Sequence, residues 1–273
     1  MSSEPLRASA PSHPVAWRSA PRALGRYAPS MLLLAALVGV WELAVRAFDV
    51  PEYLLPAPSA VASDFSEDRS LLASNAWTTL TEVLVGFAIA LAAGIAFAVV
   101  LHLSPTLRRV VYPLLVASQT IPSVVLAPIL VILFGFGAGP KLAIVGLICF
   151  FPIVVNGADG LRSVDEELIR LMRTLHASRW GIFRRVEFPS ALPLIFSGTR
   201  VAAVYAAIGA VFGEWSGSTS GLGYVMLQAT PSLETARVIA AVVILSAISL
   251  GLFLIVSLAE RLLVPWAPTR DAA

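Results

Sequence analysis

The sequence predicts an all-α protein that crosses a membrane several times. Of its 273 residues, 58% are hydrophobic and only 13% are charged, and the mean hydropathy is +0.83. A soluble domain of this size has too few polar side chains here to cover its surface. Long apolar runs favour helices, because backbone groups in lipid must form hydrogen bonds within their own segment. The runs are too long, and alternate too rarely, for the strands of a membrane barrel.

Six apolar runs approach the roughly 20 residues that a helix needs to cross the hydrocarbon core. They comprise residues 31–45, 83–101, 110–136, 142–155, 195–212 and 238–259. We therefore predict a six-helix transmembrane domain over residues 29–266, with a large cytoplasmic loop at 160–193. The flanking segments are a predicted disordered cytoplasmic leader, 1–28, rich in Ser, Pro, Ala and Arg, and a cytoplasmic tail, 267–273.

The distribution of basic residues predicts the orientation. With a cytoplasmic N-terminus, most arginines fall in the leader, after the second span and in the loop at 160–193. Outside remain Arg46, Arg69, Lys141 and Arg237. This excess follows the positive-inside rule, so both termini are predicted to be cytoplasmic. The first span is interpreted as a retained anchor, because its leader is too long for the charged region of a signal peptide.

The second span carries a face of small residues. Gly86, Ala90 and Gly94 recur every four residues, so this face has almost no side chain and predicts close packing of another helix. The same face is one reason to expect pairing with a second copy of the chain.

Charged residues in the spans have structural interpretations. Glu42 and Arg46, four residues apart near the end of the first span, are expected to form an ion pair. We expect Glu82 to reach water at the outer interface, and Arg200 to extend to the cytoplasmic surface along its own aliphatic stem.

The third span is predicted to be bent, because Pro113, Pro122 and Pro128 fall within one crossing. Polar uncharged side chains beside the second of these prolines suit the lining of a path for a small polar solute. Hydrogen bonding between helices is the alternative explanation. The candidate path residues are Ser118, Gln119, Thr120, Pro122 and Asn156, the last at the inner mouth. Capping of the fourth helix is the alternative role for Asn156.

The loop at 160–193 predicts a short amphipathic helix. Ser163 and Glu166 have the spacing of a capping box at its start, and a second helical piece over residues 179–188 is expected to end at Pro189. An apolar stripe follows helical spacing through Leu168, Leu171, Met172 and Leu175. The pattern alone favours a different interpretation, in which a basic amphipathic helix lies on anionic lipid.

Residues 167–193, ELIRLMRTLHASRWGIFRRVEFPSALP, resemble the EAA loop of bacterial ABC importer permeases. In that motif a glycine follows a Glu-Ala-Ala triplet, and a Leu-Pro pair closes it. Here Arg170 stands at the acidic position, two apolar residues replace the alanines, and His176 occupies the glycine position. The resemblance implies a helix that docks on a separate ATPase subunit, through Leu168, Leu171, Met172, Arg173, Leu175, His176, Ala177, Leu192 and Pro193.

The resemblance extends from WELAVR, residues 41–46, to SLAERLLVPW, residues 257–266. It points to the branch with nitrate, sulfonate and taurine importers. The segments at 118–122, 150–165 and 213–226 look most similar to permeases for hydroxymethylpyrimidine, a thiamine precursor. Sulfonate, taurine, nitrate and riboflavin are the alternative solutes.

This resemblance also implies the partners and the location. A second permease subunit, expected to be an identical copy, two ATPase subunits and an extracytoplasmic solute-binding protein would complete a transporter in the bacterial cell membrane. Glu214 and Trp215, at the start of the Gly- and Ser-rich turn 214–224, are then candidates for an outer gate that meets the binding protein. An interfacial aromatic belt is enough to explain the tryptophan.

Other function classes have little support in the sequence. No GxxxxGK[ST] loop is present, so energy has to come from a partner. A stand-alone secondary transporter needs ionisable groups at mid-membrane, and an intramembrane hydrolase needs a paired nucleophile and base, for which Ser118 and His102 are the best available. With a single cysteine, Cys149, and three scattered histidines, we expect no enzyme activity, metal site or cofactor.

Overall fold

The computed structural model describes residues 22–266, with side chains described from residue 28 onward. Every regular element within this range is helical. The first helix, α1, begins at Arg22, inside the segment assigned above to the leader. Residues 1–21 and the tail 267–273 lie outside the described residues, so the expected disorder of the leader and the place of the tail stay predictions.

The chain divides into two compact units, and the boundary lies between Asp49 and Val50. The first contains α1 (Arg22–Ala47), in which Arg46 Nη2 lies 2.5 Å from Glu42 Oε1, so the predicted ion pair is confirmed. The second unit contains α2 (Pro58–Glu67), α3 (Arg69–Leu103), α4 (Pro105–Ser118), α5 (Ser123–Phe134), α6 (Ala138–Arg162), α7 (Glu166–Thr174), α8 (Arg179–Ile182), a π-helical turn (Phe183–Glu187), α9 (Phe188–Trp215), α10 (Leu222–Ala229) and α11 (Thr235–Leu263).

Five helical segments of the described chain are long and apolar enough to span a membrane. They are Ala28–Ala47, Arg69–Leu103, Ala138–Arg162, Arg179–Trp215 and Thr235–Leu263. The pair α4 and α5 passes the same test jointly, with a bend of 102° between the two helices. The predicted all-α, multi-span fold class is confirmed, and the predicted bend in the third span lies at residues 119–122, where Pro122 caps α5.

Helices α3 and α6 pack side by side in the same direction. A Cβ added at Gly86 would lie 2.6 Å from Val145, and one added at Gly94 would lie 2.8 Å from Ile153, so both contacts require glycine. Each of these pairs has the sequence separation of 59 residues found for the Glu82–Lys141 contact, as expected for parallel helices in register. Close packing of the small-residue face is confirmed, but the face is filled within the chain and gives no support for contact with a second copy.

The parallel direction of α3 and α6 determines how α4 and α5 must run between them. Because α3 and α6 run in the same direction, residues 104–137 must return the chain from the end of α3 to the start of α6. The two short helices together therefore make one crossing, which gives six in chain order when α1 is counted.

Helix α9 packs antiparallel on α6. A Cβ at Gly198 would lie 2.6 Å from Asn156 Cβ, and one at Gly213 would lie 3.0 Å from Lys141 Cα, at the opposite end of α6. Glycine therefore sets the distance between these helices at both ends. Helix α11 packs on α9 in turn, with Arg200 Nη1 located 2.6 Å from Glu260 Oε2, so this arginine is paired with a carboxylate rather than simply extended to the surface.

The fifth span begins much earlier than residue 195. Residues Arg179–Trp215 form one continuous helical segment, and the prediction that a separate piece ends at Pro189 is wrong. Proline lacks a backbone N–H and normally interrupts a helix. Here the preceding turn is π-helical, with Phe188 N–H donating to Phe183 O, and this wider turn accommodates the proline without ending the helix.

The short helix α2 packs at the start of α11. Arg237, at the start of α11, pairs with Asp64 of α2, with Asp68 at the C-cap of the same helix, and with Glu234. Burial raises the pKa of the Asp64 carboxyl above its usual value, and the positive charge of Arg237 offsets part of this rise. The arginine thereby holds α2 against the start of α11.

Candidate functional site

Helix α7 lies between the end of α6 and the start of α8. It begins at Glu166, which is later than the predicted capping box indicates. Its N-cap is Asp165, whose Oδ1 accepts a hydrogen bond from Glu167 N–H at 2.8 Å. Ser163 Oγ instead donates to Gly160 O at 2.8 Å, within the last turn of α6. The predicted Ser163–Glu166 capping box is therefore wrong, because Asp165 is a better placed acceptor for the first N–H groups.

One face of α7 carries leucines whose side chains are exposed. Leu168, Leu171 and Leu175 are 41%, 54% and 68% exposed, and Met172 is half-buried. The stripe is the one predicted from helical spacing. Exposed apolar side chains in a row on a charged helix are typical of a surface that a partner protein covers.

The other face of α7 is turned toward the membrane helices. Ile169, Arg173 and Ala177 line a cavity of about 440 Å³ together with residues at the end of α3 and in α8. The helix thus has two apolar surfaces with different surroundings, one open and one directed at its own chain.

Helix α7 ends in a left-handed turn at His176. This residue has φ +55°, a region that costs energy for any residue with a Cβ but is less unfavourable for His than for most. His176 N–H donates to Arg173 O, and Ala177 N–H donates to Met172 O, both at 3.0 Å. This is the Schellman pattern that usually carries glycine, and it explains why the resembling motif has glycine at this position.

Aromatic packing fixes the loop to the spans. Phe183 lies 5.3 Å from the Trp180 ring, 5.9 Å from the Phe188 ring and 6.1 Å from the His102 ring, measured between centroids. His102 Nε2, at the end of α3, lies 2.9 Å from Glu187 Oε2 in the π-helical turn.

The closing Leu-Pro pair belongs to α9. Leu192 packs against the cluster of Leu161, Phe183, Ala191 and Ile195, and Pro193 lies inside the helix. The loop is therefore packed against α3, α6 and α9 together.

At the opposite end of α9, Glu214 is fully buried. Its carboxylate accepts hydrogen bonds from Thr79 Oγ1 at 2.6 Å and from Gly223 N–H at 2.5 Å. Asn75 Oδ1 accepts from Gly221 N–H at 2.7 Å. These side chains satisfy the free N–H groups at the start of α10.

The neighbouring candidate, Trp215, is partly exposed, and its Nε1 donates to Gly223 O at 3.1 Å. The structure thus brings both predicted gate residues to the same turn, Glu214 inside and Trp215 at its surface.

The candidate path residues lie in two separate places. Ser118, Gln119, Thr120 and Pro122 are exposed at the break between α4 and α5. The hydroxyls of Ser118 and Thr120 donate to Leu115 O and Ala117 O within their own turn. Asn156 is half-buried where α6 meets α9, and its Nδ2 donates to Pro152 O.

A buried group of polar side chains in the N-terminal half of α3 is not predicted by the sequence analysis. Asn75, Thr79 and Glu82 are all more than nine-tenths buried, and Glu82 Oε1 accepts from Lys141 Nζ at 2.7 Å. The expectation that Glu82 reaches water is wrong. The spacing of these three residues, four and then three positions, places them on one helix face, and that spacing is the signal that would have found them.

A bundle of apolar spans with an exposed amphipathic helix anchored between two of them defines the membrane subunit of a transporter that a separate subunit drives. The chain belongs to the family of binding-protein-dependent transport system inner membrane components, whose model matches residues 88–267. It is the permease subunit of an ABC importer, a multi-pass membrane protein.

Several characterised relatives align along most of their length. The formylaminopyrimidine transport permease protein ThiX of Halalkalibacterium halodurans is 37% identical, over 87% of this chain and 95% of its own. The riboflavin transport system permease protein RibX of Chloroflexus aurantiacus is 36% identical, over 89% and 90%. The taurine transport system permease protein TauC of Escherichia coli is 28% identical, over 85% and 87%.

Among solved structures, a chain of the inward-facing MetNI methionine ABC transporter superposes with a TM-score of 0.58. The match covers 70% of this chain and 97% of the other, at 19% identity. It supports the assignment of the fold.

Proposed function

We propose that this permease imports a pyrimidine precursor of thiamine, such as hydroxymethylpyrimidine, across the bacterial cell membrane. The proposal follows from the name of the relative ThiX, a formylaminopyrimidine permease that is 37% identical. The solute is delivered by an extracytoplasmic binding protein, and two identical permease subunits form the path. The second candidate is riboflavin, from the name of the relative RibX, at 36% identity.

Coupling to ATP hydrolysis runs through α7. The exposed stripe of Leu168, Leu171 and Leu175 carries this proposal, because it is an uncovered apolar surface on a helix whose other face contacts the spans. In the proposed mechanism the stripe sits in a groove of the ATPase subunit. Closure of the ATPase pair then moves α7, and the spans rock between inward and outward openings.

A double substitution tests this docking. Leu171→Asp with Leu175→Asp places two carboxylates in the stripe, and we expect loss of copurification with the ATPase while membrane insertion is kept. The matched control, Arg170→Asp with Thr174→Asp, introduces two carboxylates on the other exposed side of the same helix and should keep the complex. Equal recovery of the ATPase with both double variants would count against the docking role.

Cysteine labelling tests the orientation, in which both termini and α7 are cytoplasmic. Cys149, the single native cysteine, is buried, so background labelling by an impermeant maleimide should be low. Ser178→Cys, at the start of α8, should react only after the cells are opened, whereas Thr219→Cys, in the turn before α10, should react in intact cells. The reverse pattern would invert the topology.

The path and the gate are also proposals. The exposed polar groups of Ser118, Gln119 and Thr120 beside Pro122 support a lining at the α4–α5 break, with Asn156 nearer the inner mouth. At the outer turn, Trp215 faces the binding protein and Glu214 supports it from inside the domain.

Uptake measurements decide the solute. Cells that carry the permease, its ATPase and its binding protein should accumulate labelled hydroxymethylpyrimidine, and deletion of the ATPase should abolish the accumulation. Riboflavin, taurine and nitrate serve as competitors. Inhibition by riboflavin alone would favour the second candidate, and uptake that persists without the ATPase would indicate a secondary transporter.

A further inference from the structure

Three arginines surround one cavity where α3 and α6 end and α4 begins. The cavity has a volume of about 490 Å³. Its basic residues are Arg108 and Arg109 of α4 and Arg162 at the end of α6. The remaining lining residues are Leu101, His102, Pro105, Tyr112 and Pro113.

The positive charge in this cavity is only partly neutralised. Asp159 Oδ1 lies 3.7 Å from Arg108 Nη2, and Asp159 also accepts a hydrogen bond from Tyr112 Oη. Within residues 28–266, neither Arg109 nor Arg162 has a carboxylate within 4.0 Å. Arg108 and Arg162 are close enough to repel each other, so three guanidinium groups share a single acidic side chain.

His102 does not change this balance. It lines the cavity, but its Nε2 lies against Glu187 Oε2 at 2.9 Å, outside the arginine group. The Glu187 carboxylate is therefore engaged by His102. Clustered positive charges, one of them on a largely buried side chain, are unfavourable without a counter-ion.

The Arg108 guanidinium is held in an orientation suited to binding an anion. The Arg108 guanidinium lies over the Tyr112 ring, 5.3 Å from its centroid. Stacking of this kind holds the plane of the group while its N–H edges stay available. Arginine binds phosphate oxygens through such edges, often two at a time.

The surroundings of the cavity are apolar. Val110 and Leu114, on the adjoining ridge of α4, are strongly exposed, and the cavity walls include Leu101 and two prolines. A phosphate with an attached hydrocarbon fits this combination of charge and apolar rim, whereas a free inorganic ion leaves the rim uncovered.

We propose that this cavity binds the phosphate headgroup of an anionic phospholipid, with its acyl chains along Val110 and Leu114. Basic pockets between the ends of membrane helices are suited to such headgroups. Assignment to the cytoplasmic leaflet rests on the proposed orientation, but headgroup binding does not. A bound lipid would join α4 to the ends of α3 and α6.

Native mass spectrometry of the full-length chain in detergent tests the proposal, with phosphatidylglycerol and phosphatidylcholine supplied in equal amounts. We expect the wild type to retain phosphatidylglycerol about 25-fold or more over phosphatidylcholine, because the three arginines and Asp159 leave about two net positive charges. Each surface arginine contributes about fivefold to attraction of an anionic lipid. Arg108→Gln with Arg162→Gln should therefore lower phosphatidylglycerol binding by about 25-fold, and Arg108→Lys with Arg162→Lys should keep most of it.

The matched control is Arg184→Gln with Arg185→Gln, two exposed arginines that do not line the cavity. It should bind as the wild type does, and an equal loss would overturn the proposal in favour of general surface attraction. Equal retention of the two lipids by the wild type would overturn it as well. Retention of added inorganic phosphate with neither phospholipid bound would show that a free anion is the ligand.

If the double glutamine variant does not fold, the exposed Arg109 provides the second test. Arg109→Gln should lower phosphatidylglycerol binding about fivefold, and unchanged binding would contradict the proposal. None of these outcomes depends on docking of the ATPase or on the transported solute.

Discussion

Thr79 Oγ1 donates a hydrogen bond of 2.6 Å to Glu214 Oε1, although the two residues lie 135 positions apart. The same hydroxyl accepts from Leu222 N–H at 2.8 Å. Thr79 thus joins α3, the end of α9 and the start of α10 at one point. Both glutamate oxygens are engaged, since Glu214 Oε2 accepts from Gly223 N–H.

These hydrogen bonds predict that substitutions of Glu214 lower the free energy of unfolding by different amounts. Glu214→Ala leaves the buried Gly223 N–H without its partner and opens a cavity, so we expect a loss of about 2–4 kcal/mol in the free energy of unfolding. Glu214→Gln keeps the volume and one acceptor oxygen, and should cost less than half as much. Thermal unfolding of the purified protein in detergent measures both, with the exposed Glu167→Ala as control. Equal losses for the alanine and glutamine variants would contradict the assigned hydrogen bonds.

Because α6 and α9 are in close contact at Gly198, we predict that a single methyl group added there destabilises the protein. Gly198→Ala would place its Cβ 2.4 Å from Pro152 O, so the helices must separate, at a cost of about 1–3 kcal/mol. Gly146→Ala, on the α6 side, would place its Cβ where nothing lies within 4 Å, so it should be neutral or slightly stabilising. Comparison of the two unfolding temperatures checks this. A Gly198 variant as stable as the Gly146 variant would show that the two helices do not approach this closely.

The left-handed turn at His176 predicts an increase in stability on substitution by glycine. His176→Gly removes the Cβ penalty and should stabilise the end of α7 by about 1 kcal/mol, whereas His176→Val should destabilise it by a similar amount. Amide hydrogen exchange of residues 172–178 reports on this turn directly. Faster exchange in the glycine variant than in the wild type would mean that the turn does not have this conformation.

The buried pair of Glu82 and Lys141 predicts rescue by a second change. Lys141→Met leaves the Glu82 carboxylate buried without its cation and should cost about 3–5 kcal/mol. Adding Glu82→Gln removes the unpaired charge, so the double variant should recover most of this loss. The unfolding temperatures of the two single variants and the double variant form the cycle. Strictly additive losses would indicate that the two side chains do not interact.

Much of the fold follows from local sequence patterns. Hydropathy locates the spans, the prolines around Pro122 predict the bend, and small residues predict the close contact made at Gly86. The stripe from Leu168 to Leu175 follows from helical spacing, and the glycine-like turn at His176 follows from the resemblance to the EAA loop. These features depend on neighbours within a few positions, so one sequence is enough to predict them.

The remaining features depend on residues that are distant in sequence or nearly equivalent locally. The pairing of Glu82 with Lys141 requires knowledge of how α3 lies on α6. The start of α7 was misplaced because Ser163 and Asp165 are both good caps, and only the three-dimensional path of the chain selects between them. Continuation through Pro189 depends on a π-helical turn, which hydrophobic periodicity does not reveal.

The unbroken helical segment from Arg179 to Trp215 has a mechanical consequence. Its 37 residues span about 55 Å at 1.5 Å per residue, more than the thickness of a bilayer. One end carries the stacked rings of Trp180 and Phe183, and the other carries the Glu214 carboxylate, which joins α3 to the start of α10. In the proposed mechanism, a tilt of this helical segment at one surface of the membrane is carried to the other surface, so the segment acts as a lever.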